Sequence, residues 1–204
     1  MTIIGAGPDS VTPGVELYWI PLGAGAHVVR ISGRFYEALT ALVHGRPRRD
    51  LYHSALVVRT NDAAFAIESA PIPDDRGAER GVVAEGPVGM RRLGRFRLFR
   101  YEIRRWRDGS IPDLVAAVGP PVRPATDAAA ARRVIELLPT VPTPVWGRDE
   151  LRTGDMWNSN SVVSWVLVRS GIGIDGIEPP PGGRAPGWDA GVTIARRATA
   201  APAA

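Results

Sequence analysis

Hydrophobic and polar positions fall into a few separable patterns along the chain. VELYWIPL, residues 15–22, is β-branched and aromatic and predicts a strand, with Pro21 near its end. Residues 51–60 (LYHSALVVRT) and 63–72 (AAFAIESAPI) predict two more strands, and Asn61-Asp62 between them signals a hairpin. Residues 71–94 are rich in Gly, Pro and charge and predict a loop with a short strand at Val82–Val83. A further strand is expected over Arg95–Trp106, where the apolar face switches between Leu98 and Phe99. Such a switch marks a bulge or burial on both sides.

Helical spacing is found in three places. Phe35, Leu39 and Leu42 lie on one helical face, opened by Ser32 or Gly33 and closed at Gly45. DAAAARRVIELL, residues 127–138, is capped by Thr126 and stopped by Pro139. The third helix covers about Asn158 to Ser170 and ends before Gly171. Val162, Val163, Val166 and Leu167 form its apolar stripe, expected to be buried against the sheet that includes Ala55 and Val57. These elements define an α+β domain over residues 15–176. Residues 1–14 are expected to be loose, and the Pro/Gly-rich tail, 177–204, partly disordered.

Composition narrows the chemistry. Of 204 residues 45% are hydrophobic and 23% charged, which is globular and not disordered. Cysteine is absent, so disulfides, zinc–thiolate sites and thiol nucleophiles are excluded. No cofactor-binding or metal-ligating pattern stands out, and none is expected. Neither a signal peptide nor a transmembrane segment is visible, which makes a cytoplasmic protein the default expectation. The net charge is +4, and every basic residue is arginine. Arginine usage with abundant Ala, Gly and Pro fits a high-GC, bacterial genome.

GDMWNSNSVVSWVLVRSGI, residues 154–172, carries the most specific signal. It resembles the nucleophile helix of the papain-like superfamily, in particular the circularly permuted NlpC-type and lecithin–retinol acyltransferase-like branch. In that motif an Asp or Asn precedes the catalytic cysteine. Two small or polar residues, an apolar pair, an aromatic and a Gly-apolar helix end follow. Asn158 stands at the Asp/Asn position and Ser159 at the cysteine. Val162-Val163, Trp165 and Gly171-Ile172 match the rest. In the permuted order the histidine strand comes first, and LYHSALVV with His53 is similar to it. The resemblance covers roughly residues 50–175. It implies an antiparallel sheet packed against the nucleophile-bearing helix. It also implies a hydrolase or acyltransferase acting on an amide or ester of a peptide or acyl-containing substrate, with Asn158 and Trp157 at the substrate.

Physical chemistry sets the terms for that reading. A helix N-terminus offers free N–H groups and a positive dipole end to a developing oxyanion. A serine hydroxyl is too weakly acidic to be activated by that field alone and needs a base, for which His53 is the candidate. With a two-residue turn at Asn61-Asp62, Thr60 pairs with Ala63 and His53 with Ala70. Glu68 then lies diagonally beside His53 as its orienter, whereas a three-residue loop brings Ser69 there instead. An architectural reading stands beside each role. Asn158-Ser159 is also a common helix cap, His53 a core histidine, and Glu68 an edge charge. Replacing cysteine by serine also favours an inactive protein that binds a peptide or acyl ligand.

Eight arginines between Arg91 and Arg107 interleave with Phe96, Phe99, Tyr101 and Trp106. Such a run grips nucleic acid or acidic lipid headgroups, or forms a solvated face paired with Glu102, Asp108 and other acids. The modest net charge favours the solvated face, and nucleic acid is not the expected partner.

Overall fold

The computed structural model describes residues 12–22, 49–71 and 79–200. The helix expected around residues 35–44 and most of the expected loose N-terminus lie outside them. Six strands form one sheet: β1 (Gly14–Pro21), β2 (Tyr52–Arg59), β3 (Ala64–Ala70), β4 (Val82–Pro87), β5 (Arg100–Arg107) and β6 (Val122–Ala125). Their spatial order is β4-β5-β3-β2-β1-β6, with antiparallel neighbours throughout. Among the described residues the helices are α1 (Ala128–Leu137), α2 (Ser159–Arg169) and α3 (Trp188–Ala200). No described helix is long and apolar enough to cross a membrane.

Alternation along the strands gives the sheet two faces. Val15, Leu17 and Trp19 of β1, Tyr52, Leu56 and Val58 of β2, Ile67 of β3, and Tyr101 and Ile103 of β5 form the main core with the helices. Ile20, Ala55 and Ala66 point to the reverse face, where Ile111 and Leu114 pack on them. The apolar residues of α2 are buried as expected: Val162, Val163, Val166 and Leu167 are each at most 2% exposed. Leu56 and Val58 share the core with α2, and Ala55 lies on the other side.

Three other expectations change. The strand expected from Arg95 begins only at Arg100, and residues 91–99 form two 3₁₀ turns, Arg91–Arg95 and Arg97–Phe99. The neighbouring strand ends at Pro87, opposite Arg100. Beyond it the chain satisfies its own backbone, as in Leu93 N–H to Met90 O and Phe96 N–H to Leu93 O. Asp127, not Thr126, caps α1, its carboxylate accepting from Ala130 N–H at 2.7 Å.

The third change concerns the supposed tail, which contains α3. Ala190, Val192 and Ala195 are buried, and Trp188 lies against Trp19 with ring centroids 5.2 Å apart. Alanine enrichment, taken for disorder, here reflects the highest intrinsic helix propensity. The α2–α3 contact is close enough that a Cβ on Gly191 would stand 2.1 Å from both Ser161 O and Ser164 Oγ.

Candidate functional site

Asn158 is extended (φ −161°, ψ −162°) and forms the N-cap of α2. Its side-chain oxygen accepts from Asn160 N–H at 2.9 Å, and Ser161 Oγ accepts from Asn158 N–H at 3.0 Å. This reciprocal arrangement is a capping box, with serine in the place that glutamate or glutamine often fills.

The polar side chains of the motif then reach outward to other segments. Asn158 Nδ2 donates to Pro186 O at 2.8 Å, Ser161 Oγ to Gly187 O at 2.7 Å and Ser164 Oγ to Trp188 O at 2.7 Å. Asn160 is 2% exposed. Its amide donates to Tyr52 O at 3.0 Å and Pro186 O at 2.8 Å, while its oxygen accepts from Ser54 Oγ at 2.8 Å. Asp155 accepts from Gly187 N–H at 2.6 Å and Met156 N–H at 2.8 Å, and burial raises its carboxyl pKa. Gly187 has φ +87°, and a Cβ there would strike the Asn158 side chain. Together these groups form a clasp that fastens the start of α2 to β2 and to the entry of α3.

Ser159 is the first residue of α2 and is 6% exposed. Its hydroxyl makes no hydrogen bond among the described residues. His53 is not brought to it. Ser54 bonds to Asn160 of α2, so the adjacent His53 points to the reverse face. His53 pairs across the ladder with Ile20, a residue of the reverse-face cluster. Burial lowers its imidazole pKa, and the carboxylate of Asp113, in the 3₁₀ turn Pro112–Ala116, pulls the other way. The sheet backbone stands between Ser159 and His53.

The hairpin register is the two-residue one. Thr60 N–H donates to Ala63 O at 2.8 Å, and the pairs run from Arg59–Ala64 to Leu56–Ile67. Glu68 therefore shares the reverse face with His53, and Ser69, paired with Ile103, faces the helices. The Glu68 carboxylate is engaged by Arg104 at 2.9 Å and by Arg80 at 3.7 Å. Arg104 also holds Glu102 through two nitrogens, at 2.9 and 2.8 Å. The carboxylate whose field reaches His53 is that of Asp113, which the sequence did not single out. Trp157, expected at the substrate, is 2% exposed in the main core, and its backbone is bonded to Gly147 and Arg148.

Sequence reasoning passed over Asn160, Ser161 and Ser164. Their signal was present as an Asn-x-x-Ser cap spacing followed by small polar residues on one helical face. Among the described residues, no group of three or more His, Asp or Glu is gathered closely enough to hold a metal ion. Comparison of the chain with family models, with curated proteins and with solved structures gives no match.

Proposed function

We propose that this protein acts by binding a peptide or an acyl-bearing ligand without turning it over, in a framework that resembles the papain-like proteins. One observation carries the reading: Asn158, Asn160 and Ser161 are committed to the clasp, and His53 lies across the sheet from Ser159. A serine hydroxyl at a helix N-terminus meets a favourable dipole but keeps its proton unless a base takes it. Asn158 and Asn160, the polar side chains on either side of Ser159 in sequence, each have both oxygen and amide occupied.

An activated aryl phosphonate tests this directly. The expected result is no stoichiometric adduct at Ser159 in the native protein, and the same mass spectrum for wild type and Ser159→Ala. One equivalent of adduct at Ser159, lost in His53→Ala, would instead establish a Ser–His hydrolase or acyltransferase.

A further inference from the structure

The arginine-rich stretch is two different surfaces. In the middle of β5, Arg104 is buried against Glu68 and Glu102, and Arg105 donates to Ile135 O of α1. The preceding residues, 90–99, are instead displayed to solvent. Met90 is 59% exposed, Phe96 49%, Leu98 69% and Phe99 37%. These are four of the six exposed large apolar side chains among the described residues, within ten positions.

The display is held in place. Val88 N–H donates to Phe99 O at 2.8 Å, Gly89 N–H to Trp146 O at 3.2 Å, and Arg100 Nε to Gly94 O at 2.6 Å. Between Gly86 and Tyr101 the chain has five arginines and no acid. Arg91 is paired with Glu150 and Arg100 with Glu85. Arg92 and Arg95 are exposed and form no ion pair among the described residues. Arg95 lies 4.6 Å from the Phe96 ring centroid. Exposed Arg148, bonded to Gly89 O, adds a cation beside the turn.

We propose that this apolar-tipped, arginine-flanked turn docks the protein on an anionic lipid bilayer. Met90, Phe96, Leu98 and Phe99 enter the boundary between headgroups and acyl chains, and the guanidinium groups meet lipid phosphates. Aliphatic Met90 and Leu98 offer no π-face for a nucleobase, whereas acyl chains bury them. The inference rests on the binding reading, and names its acyl-bearing partner as a membrane surface. The phosphonate result decides catalysis and leaves docking untouched, so the two can fail separately.

Vesicle co-sedimentation of the full chain is the test, with phosphatidylcholine alone and phosphatidylcholine mixed with phosphatidylglycerol. Binding is expected to the mixed vesicles, to be much weaker to the neutral ones, and to fall with added salt. Arg92→Glu and Arg95→Glu should each weaken it roughly fivefold or more, since each basic residue near such a surface contributes about 1 kcal/mol. Leu98→Asp should weaken it in low and high salt alike. All three residues are exposed, so melting temperatures should stay at the wild-type value. Equal binding to both vesicle types, or unchanged binding by Leu98→Asp, would overturn the proposal. So would tight binding of a single-stranded oligonucleotide that survives Leu98→Asp and displaces the vesicles.

Discussion

Gly191→Ala should cost at least about 2 kcal/mol of stability, although helix propensity alone favours alanine by about 1 kcal/mol. The two effects oppose each other, so the sign of the change is diagnostic. The new Cβ would meet Ser161 O and Ser164 Oγ at 2.1 Å, and Ser161 O is backbone that no rotamer change can move away. Relief requires α3 to back off from α2, which stretches the Ser164–Trp188 and Ser161–Gly187 bonds. Gly173→Ala is the control: its Cβ would meet nothing within 4 Å, and its φ is not positive. Denaturant melts of the two variants should separate clearly. A neutral or stabilising Gly191→Ala would mean that α3 is not seated where the structure places it.

Asn160→Asp is nearly isosteric and should be worse, with a loss of roughly 3 kcal/mol or more at neutral pH. The amide donates to Tyr52 O and Pro186 O, and an aspartate oxygen in its place would confront both carbonyls without a proton. No cavity forms, so the loss isolates hydrogen-bond polarity. The buried carboxylate would have its folded pKa raised above the unfolded value. Its penalty is then absent below the unfolded pKa and grows as pH rises through the folded one. The deficit should therefore shrink on acidification. Thermal melts that match wild type at neutral pH would show that Asn160 is not clamped between β2 and the entry of α3.

The strands of β1, β2 and β3 were legible because alternation and the Asn61-Asp62 turn are local signals. The register followed from the turn, and with it the placement of Glu68 and His53 on one face, although the β2–β3 pairing stops at Leu56–Ile67 and Glu68 is held by Arg104 and Arg80. Which face this was could not be read. In LYHSALVV both parities are apolar, Ala55 and Val57 on one and Leu56 and Val58 on the other. The reason is that Ala55 packs against Ile111 and Leu114 while Leu56 packs with the helices. One step of parity put His53 on the wrong side of the sheet. The Asn-Ser-Asn-Ser segment was ambiguous for a different reason: a helix cap and a nucleophile turn use the same residue types. What separates them is the contact with Pro186–Trp188, a long-range feature hidden in a segment whose alanines and glycines read as a tail.

Ser159 and His53 lie on opposite sides of the sheet and do not communicate. The most direct measurement is the alkylation rate of a Ser159→Cys thiol by iodoacetamide at pH 6, with and without His53→Ala. Wild type has no cysteine, so the signal belongs to position 159 alone. An ordinary thiol, pKa about 8.5, is almost wholly protonated at that pH, whereas one paired with an imidazolium is not. The structure predicts a slow rate that His53→Ala leaves unchanged. A fast rate that collapses when His53 is removed would contradict it, and would place the histidine on the α2 side of the sheet.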